Sequence, residues 1–286
     1  MPDLTLVVIV IIIALVFDFI NGFHDSANSI ATIVATNVLR PRTAVLLAAF
    51  WNFFGAFVFS VAVAATIGKG VINPDIVNIY IILAALLGAI IWNLITWFYG
   101  IPSSSSHALI GGLIGAGFVS SGINSIIFSG LNKILIFIFV APIVGFLGAT
   151  VFSILMMWVF RNKKPSQVDW LFKKLQIASS SLYSLGHGTN DAQKTMGIIT
   201  LLLVTSGYLA SFSVPLWVIL ISHASIALGT FFGGWRIVKT MGLRITKLKP
   251  FHGFSAETSG ALVLLGTAHF GIPVSTTHVI SGSIMG

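Results

Sequence analysis

The chain has 286 residues, 56% of them hydrophobic and only 8% charged, with a mean hydropathy of +1.02. A soluble domain carries about 25% charged residues, and no soluble core absorbs this much apolar sequence, so a bilayer is the expected solvent. The net charge of +8 would suit nucleic acid or anionic lipid, but its placement favours orientation in a membrane; the lack of cysteine excludes disulfides and thiolate-bound metals.

Leu4 to Ile20 has the length of a signal peptide but no basic start and no small-residue cleavage site, so it reads as a retained membrane helix. Apolar runs fit for spanning, which takes roughly 20 residues, occupy 4–39, 43–67, 76–98, 134–160, 177–207 and 213–235. Two further runs, 103–119 and 273–286, are short, rich in Gly, Ser and Thr, and each begins just after a Gly-Ile-Pro. Short Gly- and Pro-interrupted segments of this kind suggest re-entrant half-helices, making hairpins of 76–119 and 255–286. The expected division is a first half with its linking span (1–160), a basic cytoplasmic loop (161–176) and a second half (177–286). The sequence ends in the returning arm of the second hairpin, and at least one more span is expected beyond Gly286.

The basic residues test the hairpin reading. Arg40 and Arg42 form one cluster, Arg161, Lys163, Lys164, Lys173 and Lys174 a second, and Arg236, Lys239, Arg244, Lys247 and Lys249 a third. With 76–119 as a hairpin, all three fall on one face, expected to be cytoplasmic, while Lys69 and Lys133 lie outside and Lys194 lies within the membrane. With 76–98 as a full span and no return, the second and third clusters would change sides.

Two motifs occur twice, in the same order. Asn21-Gly22-Phe23-His24-Asp25-Ser26-Ala27-Asn28-Ser29 aligns with His187-Gly188-Thr189-Asn190-Asp191-Ala192-Gln193-Lys194-Thr195, and Gly100-Ile101-Pro102-Ser103-Ser104-Ser105-Ser106-His107 with Gly271-Ile272-Pro273-Val274-Ser275-Thr276-Thr277-His278. Gly111 and Gly115 then pair with Gly282 and Gly286. An odd number of crossings separates the copies, which inverts the second. The fold class expected is an all-α polytopic membrane protein with inverted-topology repeats, each holding a broken helix and a re-entrant helical hairpin.

Asp25 and Asp191 sit in apolar segments among Asn21, His24, Asn28, Asn190 and Gln193. A carboxylate in hydrocarbon is costly unless paired or hydrated. Gly22, Gly186 and Gly188 would let these helices unwind and offer carbonyls, and such an oxygen set suits Na⁺ or a proton relay. The plainer alternative is a polar network that locks helices together. Pro102 and Pro273 favour helices starting at once after them, placing Ser103–Ser106 and Ser275–Thr277 at helix N-termini. Two such ends, with free N–H groups and hydroxyls, form a site for a small oxyanion such as phosphate or sulfate; ordinary N-capping is the alternative.

Four residues are gating or coupling candidates. His107 and His278 recur at equivalent positions and could titrate or simply be hydrogen-bonded. Lys194 replaces Asn28 in the second copy and is expected to pair with Asp191, face the anion or snorkel. Glu257, the sole glutamate, opens the second hairpin. Asp18, just before the first motif, could join its network. No P-loop is present and no nucleophile is set beside a base, so no enzyme is expected.

At these motifs, with Gly233 to Gly242 (GGWRIVKTMG) and Gly253-Phe254-Ser255-Ala256-Glu257, the sequence resembles the inorganic phosphate transporter (PiT) family over nearly its whole length. The resemblance implies symport of inorganic phosphate with Na⁺ or H⁺ across the plasma membrane. By that resemblance Asp25, Asn28 and Asp191 fall in the cation and phosphate site and Ser104, Ser105, Thr276 and Thr277 on the phosphate; the motifs themselves add Ser103, Ser275 and Gln193 as expected phosphate residues and Asn190 as an expected Na⁺ residue beside Asp25, Asn28 and Asp191. No other cofactor is expected. The expected partners are phosphate, Na⁺ and the lipid bilayer, with no nucleic acid; a homodimer fits the reading. The rival functions are a sulfate transporter of the same architecture, an anion channel and an intramembrane hydrolase.

Overall fold

The computed structural model describes residues 3–58, 61–243 and 246–286. They form the helices α1 (Leu4–Ala35), α2 (Pro41–Phe54), α3 (Ala62–Gly70), α4 (Ile79–Tyr99), α5 (Ser105–Ser121), α6 (Phe128–Phe160), α7 (Pro165–Thr205), α8 (Leu216–Phe232), α9 (Trp235–Leu243), α10 (Pro250–His269) and α11 (Thr276–Met285). No strand occurs among the described residues; one isolated bridge joins Ile72 and Ile126. Long apolar faces point outward, as on α6, where Phe139 is 70% and Trp158 64% exposed. Among the described residues four helices meet the length and hydropathy needed to cross a membrane, or up to six if each of two bent helix pairs is one span.

The halves repeat the same parts: a long helix (α1, α7), a bent pair (α2–α3, α8–α9) and a hairpin (α4–α5, α10–α11). The pairs bend by 81° and 70°. The contacts between halves are reciprocal. A Cβ on Gly22 of α1 would lie 2.1 Å from the Ile226 carbonyl oxygen of α8, and one on Gly188 of α7 2.4 Å from that of Asn52 on α2. Likewise Gly68 of α3 abuts the Gly197 carbonyl, and Gly242 of α9 abuts that of Ala31. Exchange of partners in this way is what a pseudo-two-fold relation between the halves produces.

These glycines correct one expectation. α1 and α7 stay helical through Gly22, Gly186 and Gly188; they do not unwind. The small residues let neighbouring backbones approach, and the breaks in the chain fall instead in the bent pairs and hairpin tips. A second difference concerns 161–176, expected as a loop. Pro165 stands at the first helical position and starts α7, so most of that stretch is helix. Its Phe172 is fully buried against Phe160, Phe251 and Phe254.

Each hairpin tip is built the same way. Gly100 and Gly271 take left-handed conformations, φ 67° and 64°, which residues with a Cβ adopt reluctantly. The next residue's N–H then returns to the helix end, Ile101 to the Thr96 carbonyl and Ile272 to the Thr267 carbonyl, both at 2.8 Å. Pro102 and Pro273 follow, and Ser104 and Ser275 accept from the His107 and His278 N–H groups, each at 3.2 Å, capping α5 and α11. The prolines therefore precede the caps and do not sit in the first turn as expected, because the capping serines fix the helix starts two residues later.

Candidate functional site

The two hairpin tips touch. Thr277 Oγ1 donates to the Ser103 carbonyl at 3.1 Å, and Ser106 Oγ to that of Val274 at 3.5 Å. The starts of α5 and α11, with the free N–H groups of their first turns, meet between α1 and α7.

There the two aspartates converge. Asp25 and Asp191 are buried, and with His187 each offers a ligand atom within 4.8 Å of the others. Thr276 Oγ1 lies 3.3 Å from Asp25 Oδ2 and 3.2 Å from Asp191 Oδ2, so its one proton serves either carboxylate. Asp25 Oδ1 also faces His24 Nδ1 at 2.8 Å and accepts from Ser105 Oγ at 3.3 Å. His24 Nε2 is held 3.0 Å from Thr96 Oγ1. Asn28 Nδ2 donates to Thr277 Oγ1 at 2.9 Å and Thr276 Oγ1 at 3.2 Å. Lys194 donates to Asp191 Oδ1, to Ser106 Oγ and, at 2.9 Å, to the Val274 carbonyl, tying α7 to both tips. His187 Nε2 lies 3.4 Å from Asp191 Oδ2.

The centre thus holds two carboxylates against one ammonium. An oxyanion added here gains helix-terminal N–H groups, hydroxyls and Lys194 but meets two negative charges. Hard cations beside the carboxylates remove that repulsion, and the carboxylate, hydroxyl and amide oxygens are donors that suit them.

Of the sequence-derived candidates, Asp25, Asn28, Asp191, Ser105, Thr276, Thr277 and Lys194 come together. Ser103 lends its carbonyl to Thr277 and donates its hydroxyl to Thr96 at 2.9 Å. Ser104 and Ser275 are engaged as caps. Gln193 differs from expectation: its Oε1 accepts from the Val63 and Ala64 N–H groups at 2.8 and 3.3 Å, capping α3 in place of an anion. Both side-chain atoms of Asn190 are buried with no partner among the described residues. His107 and His278 pack ring to ring, centroids 4.9 Å apart, and line a cleft with Ser103 and Ser104. Glu257 lies in a separate buried cluster, accepting from Thr32 and Ser179 at 2.5 Å and from Gln176 at 3.1 Å.

Sequence reading gave His187 no role, and it noted His24 and Ser106 within their motifs without assigning either to a ligand. His187 stands one helical turn before Asp191, a spacing that places both on one face. His24 adjoins Asp25, and Ser106 ends a run whose earlier members were chosen.

The model of the phosphate transporter family matches residues 21–286. A probable low-affinity inorganic phosphate transporter of Rhizobium meliloti is 57% identical over 282 residues, 98% of this chain and 84% of that protein. One from Bacillus subtilis is 46% identical over 287 residues, 99% of this chain and 86% of that protein. A solved structure described as the sodium-dependent phosphate transporter superposes with a TM-score of 0.87 at 27% identity, over 98% of this chain and 88% of that one. With its lipid-ready apolar helices and its hairpins meeting at paired aspartates, the chain belongs to the phosphate transporter family, as an integral membrane transporter and not an enzyme.

Proposed function

We propose that the chain is a secondary transporter that symports inorganic phosphate with Na⁺ across the plasma membrane. The observation that carries this reading is the meeting of two helix N-termini, from α5 and α11, at Thr276, whose hydroxyl faces both Asp25 and Asp191. Phosphate is held by the first-turn N–H groups and by Ser105, Thr276, Thr277 and Lys194. Na⁺ sits against Asp25, Asn28, Asn190 and Asp191. Each ligand raises the other's affinity, because the anion alone meets uncompensated carboxylates; that shared binding free energy is the coupling. The name of the solved relative, a sodium-dependent phosphate transporter, favours Na⁺ over H⁺. In this reading the halves are inverted in the membrane, the hairpins enter from opposite sides, and the basic stretches near Arg40, Arg161 and Lys247 face the cytoplasm.

The test is uptake of radiolabelled phosphate into proteoliposomes. An inward Na⁺ gradient is expected to drive phosphate above its equilibrium level, with sulfate a poor competitor. Accumulation driven only by an inward proton gradient would replace Na⁺ with H⁺. Flux that never runs uphill would make the protein a channel, and preferential sulfate uptake would change the substrate.

A further inference from the structure

Beyond the central site, α1 and α7 carry a second group of buried polar side chains that the transport reading leaves unused. Asp18 is fully buried, and neither of its carboxylate oxygens has a hydrogen-bond partner among the described residues. Asn21 on the same helix and Thr195 on α7 face it. Both are fully buried, and the Asn21 amide oxygen, its amide nitrogen and the Thr195 hydroxyl are likewise unpartnered there. Glu257 makes the contrast: the same fold surrounds that acid with three donors.

Asn21 and Thr195 are the two neutral donors turned toward Asp18, neither in good hydrogen-bond geometry, and a buried carboxylate so weakly met is stable only when its charge is balanced in another way. We propose that Asp18, Asn21 and Thr195 form a site for Na⁺ distinct from the Asp25–Asp191 centre. Asp18 precedes Asp25 by two helical turns, about 10 Å along the axis, so one ion cannot bind both. The donors are a carboxylate, an amide oxygen and a hydroxyl, a hard oxygen set. A proton would neutralise Asp18 and give it one donor for the Asn21 amide oxygen, whereas Na⁺ engages the carboxylate, amide and hydroxyl oxygens together. A divalent ion is disfavoured, since the one carboxylate balances a single charge and Lys194 adds a positive field. The field of Asp191 reaches Asp18 too, so filling either site changes the other. The proposal rests on the Na⁺-coupled reading and assigns that coupling an additional ion.

The experiment compares wild type, Asp18→Asn and Thr195→Val for ²²Na⁺ binding without phosphate and for phosphate uptake against Na⁺ concentration. In both variants the half-saturating Na⁺ concentration is expected to rise roughly tenfold, with a shallower Na⁺ dependence of uptake. Thr195→Val keeps the side-chain shape and serves if Asp18→Asn fails to fold. A wild type that depends on Na⁺ beside variants with unchanged Na⁺ curves would overturn the Asp18 site alone. A wild type indifferent to Na⁺ in both assays would overturn the coupling reading and this site with it.

Discussion

Thr276 Oγ1 lies 3.2 Å from Asp191 Oδ2 while standing 3.3 Å from Asp25 Oδ2. One hydroxyl at the start of α11 therefore joins the two halves of the molecule at their most polar point. Thr276→Val keeps the shape and removes the proton that serves both carboxylates. Phosphate uptake, as kcat/KM at fixed Na⁺, is expected to fall by about tenfold or more, while Thr276→Ser retains most of it. Valine at wild-type rates would place the anion elsewhere.

Lys194 offers a test of stability. Its ammonium bonds Asp191, Ser106 and the Val274 carbonyl, and both charges are buried. Lys194→Met leaves Asp191 as an unpaired buried charge, expected to cost about 3–5 kcal/mol in unfolding in detergent. Asp191→Asn combined with Lys194→Met removes both charges and should recover part of that loss. Strictly additive effects would mean the two groups do not act as a pair.

The glycines divide into two classes. Gly22→Ala brings a Cβ to 2.1 Å from the Ile226 carbonyl oxygen, whereas a Cβ on Gly88 meets nothing within 4 Å. Gly22→Ala is expected to lower stability by about 2 kcal/mol or more through overpacking. Gly88→Ala, in the middle of α4, should be neutral or gain up to about 1 kcal/mol. Melting temperatures of the purified variants in detergent check both.

The sequence made the centre legible because its parts are duplicated. Asp25 and Asp191 share a motif, and Gly100 and Gly271 open the same string, so position in one copy implied position in the other. Glycine was harder to read. Gly22 and Gly188 allow both helix unwinding and close helix packing, and only the neighbouring α8 and α2 backbones decide for packing. Gln193 fell within the motif, yet its amide oxygen caps α3, a partner far away in sequence. Pro165 could equally have closed a loop; the aromatic cluster around Phe172 makes it a helix start. Glu257 stood out as the sole glutamate, but nothing local pointed to Thr32, Gln176 and Ser179.

The two threonines of the bent helices give a matched pair of measurements. Thr66 Oγ1 donates to the Gly271 carbonyl at 2.7 Å and Thr240 Oγ1 to the Gly100 carbonyl at 2.9 Å. Thr66→Val and Thr240→Val are each expected to cost about 1 kcal/mol, and both should alter the rate of phosphate uptake more than its KM. A large effect from one and none from the other would break the equivalence of the halves.

Those same two bonds fasten each chain reversal to a helix belonging to the opposite half. Neither tip can swing away from the carboxylates without giving up its threonine or carrying α3 or α9 along. The fastenings are of one kind, a threonine hydroxyl on a glycine carbonyl, so the distortion that frees either tip breaks the same kind of bond. A body with two such distortions has the ingredients of a toggle, in which movement on one side is answered by its mirror on the other.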